Sequence, residues 1–456
     1  MPLLKAVILI AGPQKGTRFR PLSLDVPKPL FPVAGCPIVQ HHIEACVQVP
    51  DLREILILGF YPANEMAGFV GEMNRKYSGV NIRYLQEYAP LGTAGGIYHF
   101  RDQIRAGNPD AFFVMNGDVC CDFPLEEMLA SHTAKSGAVA TVLGTEATRQ
   151  QSVNYGCIVE DKTSHSILHF VEKPNSYIST IINCGVYIFS LEVFQMLQVK
   201  YEYGLWDRIT LYLFSRLFYF AMNNSVLFKS VFNSKKSEYL TSSEPVSDCN
   251  KNETIWIERD ILVPIAGTNK AFLHLTNNWW SQIKTAGSAI YANRHALALY
   301  NKTNPERLTK ESEKTPKIIG DVFIHETAVV DPSAVLGPNV SIGKNVRVGA
   351  GARVRESIVL GNSTVGEHSL VIYTVIGWNS TVGDWARVEG TPEDPNPNKP
   401  FAKMENNTLF NGSGQLNPSI TILGSNVVVP SEVIILNSIV LPHKELGGSY
   451  KNQIIL

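Results

Sequence analysis

The sequence predicts two parts: a Rossmann-like, doubly wound α/β domain over residues 1–300, and a left-handed parallel β-helix of hexapeptide repeats over residues 317–456. Three observations carry this. Ala6-Val7-Ile8-Leu9-Ile10 is an apolar, β-branched run that leads directly into a glycine-bearing loop, the mark of a strand buried on both faces of a parallel sheet. Similar runs then alternate with helical patterns, as in doubly wound sheets. Further on, Gly337, Gly343, Gly349 and Gly361 fall on a six-residue period with Arg355 in the remaining slot. Leu336, Ile342, Val348, Val354 and Leu360 repeat with them, and Ala334, Val340, Val346, Ala352 and Ile358 form a second register. Coils of this period bury their aliphatic residues on one another.

The chain has 456 residues with 45% hydrophobic content, room for two or three domains. A net charge of −1 without a basic block disfavours nucleic acid. Any bound phosphate must be met by a few placed cations. No signal peptide and no spanning helix is expected, because the first strand follows the N-terminus at once and no long apolar run exists. The seven cysteines lack a C-x-x-C pair, and Cys120 and Cys121 are adjacent. That suits neither a zinc site nor a simple disulfide, and a reducing cytoplasm is expected.

In order, residues 36–49 read as a helix, Arg53–Gly59 as a strand, Ala67–Tyr77 as a helix and Asn81–Glu87 as a strand. Ala111–Asn116, Ala138–Leu143 and Ala271–Leu275 are further strands. Residues 205–255 fit no pattern: a short apolar segment broken by Arg216 precedes a polar tract, and the whole reads as an insertion. Residues 301–316 read as a polar linker. A proline-studded polar loop, Thr391–Pro418, interrupts the β-helix; long loops in compact domains are usually functional or disordered.

Motifs stand where an open α/β sheet binds ligands, just after strands. The loop after the first strand carries Gly12, Gly16, Thr17, Arg18 and Arg20, and Lys28 sits between Pro27 and Pro29. Backbone N–H groups and forked cations of this kind suit phosphate. Taken alone, the loop reads equally as an ordinary strand–loop–helix turn, and it is neither a Walker A loop nor G-x-G-x-x-G. Leu91-Gly92-Thr93-Ala94-Gly95-Gly96 is a tight loop or a helix start. Asn116-Gly117-Asp118 ends a buried strand, and Asp118 is placed either to hold Mg2+ or to cap a turn. Phe170-Val171-Glu172-Lys173-Pro174 and Ile182-Asn183-Cys184-Gly185-Val186-Tyr187 follow.

Gly-Thr-Arg followed by Pro-Lys-Pro-Leu resembles the signature of the sugar-1-phosphate nucleotidyltransferases, and with the hexapeptide helix the chain is similar to the GDP-mannose pyrophosphorylases. The resemblance implies a reaction of mannose 1-phosphate with GTP, catalysed by positioning and charge neutralisation. It implies that Gly12, Gly16, Thr17, Arg18 and Lys28 meet phosphates. Gln86, Gly92, Thr93 and Ala94 would lie at the base and ribose, Asn116 at the ligand, and Asp118 at the ligand and the Mg2+. Glu172, Lys173 and Asn183 would meet the sugar.

Two departures bear on activity. Pro13-Gln14-Lys15 lengthen the phosphate loop beyond the family pattern. Gln282, in Trp280-Ser281-Gln282-Ile283, stands where active members carry a second metal-binding carboxylate, and Lys284 adds positive charge beside it. The Mg2+ site is thereby incomplete, and Arg18 and Lys28 become vestigial as catalytic groups. This pattern resembles the regulatory, alpha branch of the family. Its members act with a catalytic beta subunit in a hetero-oligomer, bind GDP-mannose and feed back on their partner. The loop at 391–418 is expected to carry that signal through Glu393 and Asp394. Self-association through the β-helix is expected as well. A catalytically active mannose-1-phosphate guanylyltransferase is the alternative. An acyltransferase using His325, His368 or His443, and an empty scaffold, complete the readings.

Overall fold

The computed structural model describes residues 3–12, 17–201, 254–311, 316–392, 410–412, 414 and 416–456. Most of the segment read as an insertion, the Pro13-Gln14-Lys15-Gly16 stretch, and Glu393 and Asp394 lie outside the described residues.

Strand β1 (Leu4–Leu9) is the centre of the first half. It pairs in parallel with β2 (Leu52–Gly59) on one edge and β4 (Ala111–Asn116) on the other, so both of its faces are covered. Ala6 and Ile8 enter one core and Val7 the opposite one, as strand alternation requires. Helix α1 (Ile38–Gln48) follows β1, α2 (Ala63–Lys76) follows β2, and β3 (Asn81–Gln86) pairs in parallel with β2. Helices α3 (Thr93–His99) and α4 (Leu125–Thr133) complete the first layers.

The sheet is mixed rather than wholly parallel. Its further strands are β5 (Ala140–Glu146), β6 (Gly156–Glu160), β7 (Ile167–Glu172), β8 (Ile181–Ser190) and β9 (Ala271–Leu275). The path runs β7-β6-β8-β4-β1-β2-β3, with β5 paired to β8 and β9. β8 is antiparallel to β4, β5 and β6, and β6 is antiparallel to β7. The turn between β6 and β7 is too short for a crossover helix, so only a hairpin can form. Among the described residues no helix is long and apolar enough to cross a membrane.

Residues 317–455 form short parallel strands on three faces, consistent with a left-handed β-helix. The glycine period hides one register step. Val322 lies beside Val340 and Val335 beside Arg353, but Ser341 lies beside Ile358 and Arg353 beside Leu370, one residue sooner. The step falls at the Arg355–Ser357 corner, where Glu356 has φ +47°. Losing one residue turns every following side chain to the other face. Val359 therefore fills the lumen. Ile358 and Leu360, expected inside the coil, point out and pack on the α/β half.

That outward packing makes one molecule of the two halves. Helix α5 (Ser288–Thr303) lays Ala289, Ala292, Ala296 and Leu297 against Ile358, Val375, Ile420 and Ile422. Fully buried Asn293 accepts from Ala34 N at 2.9 Å and from the Ser341 hydroxyl at 2.6 Å. The span read as linker begins inside α5 and is pinned at Arg307, whose guanidinium forks onto Glu44 at 2.9 and 3.0 Å.

Candidate functional site

The strand ends at β1 and β4 define a cleft. After β1, Ile10 N donates to Leu58 O and Phe60 N to Ala11 O. A Cβ on Gly12 would lie 2.2 Å from the Phe60 Cβ, so this glycine answers to Phe60 whatever it does for phosphate. Gly16 lies outside the described residues. Thr17–Phe19 form a single 3-10 turn; Phe19 is buried, and Thr17 and Arg18 are exposed. Pro27 and buried Pro29 hold a second short turn, Lys28–Leu30. Lys28 Nζ reaches Asp118 Oδ2 at 3.5 Å and lies 5.8 Å from the Phe19 ring centroid.

At the end of β4, Gly117 N donates to Leu9 O at 2.8 Å, and His42 Nε2 lies 3.1 Å from Asn116 O. The Asn116 side chain packs on Gly185, where a Cβ would lie 2.5 Å from its Nδ2. Beyond Asp118, Val119–Cys121 pair antiparallel with Trp280–Gln282, and Gln282 faces Val119. Ile283 N donates to Asp118 O at 2.8 Å, and the Trp280 indole N–H donates to Cys184 O at 2.8 Å. Two anchored strands thus bring Asp118, Gln282 and Lys284 together. Lys284 Nζ lies 4.6 Å from the Tyr155 ring centroid. Burial draws its pKa down to about 8; Asp118 and Glu172 oppose that fall, while Lys173 and Arg18 assist it.

The far side carries the sugar motifs. Lys173 sits at φ +45°, donates its N–H to Tyr155 O and pairs with Glu172 at 3.2 Å, both side chains well exposed. Asn183 turns inward: its Nδ2 donates to the Tyr187 hydroxyl at 2.8 Å, and its Oδ1 accepts from Gly185 N at 2.9 Å. The Tyr187 hydroxyl donates to Glu258 Oε1 at 3.3 Å, and the Thr93 hydroxyl to Glu258 Oε2 at 3.4 Å. Glu258 therefore ties the Leu91–Gly96 loop to the sugar motif. Burial first, and the Glu172 charge second, raise its pKa. Sequence reasoning assigned Glu258 no role; it is one of three consecutive charged residues in Ile257–Leu262, and nothing in that stretch sets it apart from Arg259 and Asp260.

The loop itself is held by backbone. Ala94 N and Gly95 N both donate to Ile255 O, at 2.9 and 3.2 Å. Gly92 takes φ +83°, where a Cβ would meet Ile255 O at 2.4 Å. Gln86 accepts from Ala63 N at 3.1 Å and so caps the start of α2. Thr93, Glu172 and Asn183 thus share one network or its border, the charges of Asp118, Lys173 and Arg18 act on Lys284, Lys28 joins them through Asp118, and Gln86 faces α2.

The donor set is a poor fit to Mg2+. Mg2+ wants several oxygen ligands in a near-octahedral shell. Here Asp118 already pairs with Lys28, Gln282 offers a neutral amide, and Lys284 brings another positive charge. Among the described residues no three His, Cys, Asp or Glu side chains gather as a ligand set.

Residues 5–211 match the nucleotidyl transferase family, and residues 318–455 match the family described as GMPPB C-terminal domain. The mannose-1-phosphate guanylyltransferase regulatory subunit alpha of Drosophila melanogaster is 55% identical, with all of both chains covered. The regulatory subunit alpha-A of Danio rerio is 54% identical, again over the whole of both. A solved structure, a putative glucose-1-phosphate thymidylyltransferase from Bacillus anthracis in complex with a sucrose, covers 64% of this chain and 95% of its own at 19% identity and TM-score 0.46. On its full-length identity to the curated relatives, the chain belongs to the family of mannose-1-phosphate guanylyltransferase regulatory subunits alpha.

Proposed function

We propose that this chain is the nucleotide-sugar sensor of a cytoplasmic complex: it binds GDP-mannose in the cleft and lowers the turnover of a catalytic mannose-1-phosphate guanylyltransferase beta subunit when the cleft is filled. The observation that carries this reading is the composition of the cleft. Cations for phosphate remain at Arg18, Lys28 and Lys173, and hydrogen-bonding groups remain along the sugar motifs. The carboxylate pair that metal-assisted transfer would use is reduced to Asp118 alone, with Gln282 and Lys284 on the strand end bonded to it through Ile283 N. Such a site keeps ground-state binding and forfeits transition-state stabilisation.

Feedback needs the filled cleft to bias a second surface. A covalent and packed route supports one. Gln282–Lys284 lead into α5, and Gly287 at its start packs on Ile420, where a Cβ would lie 3.2 Å from the Ile420 Cβ. Ile420 stands at the root of the 391–418 loop, which Thr391 N closes onto Ser419 O at 3.0 Å. The loop is the element we assign to the partner contact, and the β-helix to self-association. Calorimetry with GDP-mannose, beside pyrophosphate release from GTP and mannose 1-phosphate, tests the whole reading. Binding with no release by the chain alone, and inhibition restored on adding it to the beta subunit, is expected. Release at ordinary enzyme rates, about 1–10³ s⁻¹, would overturn it in favour of an active guanylyltransferase.

A further inference from the structure

We propose that Lys284 occupies the cation position opposite Asp118, so that the cleft grips the pyrophosphate of a sugar nucleoside diphosphate without a divalent metal. This rests on the GDP-mannose reading above and names how that site holds its ligand.

The placement is the first argument. Lys284 is not a loose surface lysine. Ile283 N is bonded to Asp118 O, the preceding strand is paired residue by residue with Val119–Cys121, and Trp280 is tied to Cys184. The stem therefore leaves a fixed strand end beside Asp118. Its ammonium lies over Tyr155, whose ring packs edge-on against Trp280 with centroids 5.5 Å apart. A half-buried ammonium against an aromatic face keeps one side dry and leaves the other for a ligand.

The charge balance is the second. Among the described residues, Arg18, Lys173 and Lys284, with Lys28 through its pair to Asp118, gather with Asp118 and Glu172 around this point. Glu258, beyond Glu172, has a raised pKa and is bonded to Thr93 and Tyr187. Four cations against two carboxylates leave an excess that an ionised pyrophosphate diester cancels. A divalent ion placed there instead would add to the excess, close to two ammonium groups and with one carboxylate already engaged.

The test uses the full chain. GDP-mannose is titrated calorimetrically in EDTA and in millimolar Mg2+, and Mn2+ binding is followed by electron paramagnetic resonance. Wild-type affinity is expected to differ by less than about twofold between the two buffers, with no tight Mn2+ site. Lys284→Met should weaken GDP-mannose about 10- to 100-fold, unrescued by Mg2+, while Lys284→Arg keeps most of the affinity. Gln282→Asp combined with Lys284→Gly should gain both a Mn2+ signal and Mg2+-dependent binding. A wild-type Mn2+ signal, or wild-type affinity rising about tenfold with Mg2+, overturns the inference and needs no variant that folds. Normal binding by folded Lys284→Met also overturns it while leaving the sensor reading intact. Absence of GDP-mannose binding in every buffer overturns the sensor reading and this inference with it.

Discussion

Two ion pairs in this molecule use the same chemistry to opposite ends. At the junction of the halves, Arg307 forks onto Glu44 at 2.9 and 3.0 Å, and Glu44 also accepts from Tyr77, Gln40 and Lys76. Four of these five donors converge on Oε1, and the fifth meets Oε2. In the cleft, Lys28 meets Asp118 through a single 3.5 Å contact, with Asp118 about a third exposed and further cations close by. The junction carboxylate is crowded with donors and holds structure. The cleft pair is unsaturated and leaves donors for something else. A close, bidentate pair repays its desolvation; a single long contact repays little.

The largest expected effect lies at the junction. Arg307→Ala leaves Glu44 among groups chosen for a partner, and should cost about 2–3 kcal/mol in urea unfolding. It should leave GDP-mannose affinity unchanged. If stability instead stays within about 0.5 kcal/mol of the starting protein, the fork contributes nothing and the contrast with the cleft collapses.

The same pair has a pH signature. Burial alone would raise the Glu44 pKa, but the bonds from Arg307, Gln40 and Tyr77 outweigh it and carry it down to about 2 from an ordinary 4.5. A depressed folded pKa means stability that is complete above about pH 5 and lost as the pH falls towards 2. The shift corresponds to about 3 kcal/mol. Stability measured from neutral pH downward should therefore fall more in wild type than in Arg307→Ala, and the two curves should converge at the acid end. Parallel curves would place the acid lability elsewhere.

In the cleft the order of effects reverses. Lys28→Ala should change folding stability by less than about 1 kcal/mol, because Asp118 keeps access to water. It should weaken GDP-mannose about tenfold or more, the scale of a lost charged hydrogen bond. Matched thermal melts and calorimetry check both halves. A variant that loses stability but not affinity would make Lys28 a structural lysine.

How legible all this was in the sequence depends on range. Strands β4 and β9 were readable to the residue, and β1, read as Ala6–Ile10, runs from Leu4 to Leu9; continuous apolar runs mean the same thing wherever they pack. The hexapeptide registers were readable until Arg355, where one lost residue turned Ile358 and Leu360 from lumen to interface without changing the look of the pattern. The antiparallel strands were not read, because alternation of strands and helices does not reveal strand direction. In the cleft, Lys28, Asp118 and Lys284 were each visible, but their meeting depends on the pairing of Val119–Cys121 with Trp280–Gln282 across a long sequence gap. Glu258 was invisible for the same reason: its partners Thr93 and Tyr187 are distant in the chain. Glu44 with Arg307 is the extreme case.

The smallest effect sharpens the contrast most. Lys173 stands in the left-handed region at φ +45°, where a side chain costs about 1 kcal/mol relative to glycine. Its ion pair with Glu172 returns little, because both partners are well exposed. A ligand held by Lys173, as proposed, would account for a costly conformation that its weak ion pair does not repay. Lys173→Gly should raise folding stability by about 0.5–1 kcal/mol while weakening GDP-mannose. Lys173→Ala should weaken the ligand equally, by about 1.5–3 kcal/mol, without the gain in stability. Equal affinity loss with unequal stability separates the ammonium from the backbone. If both variants bind as the starting protein does, the sugar phosphate lies elsewhere in the cleft; if Lys173→Gly is no more stable than Lys173→Ala, the backbone at this position carries no cost for function to justify.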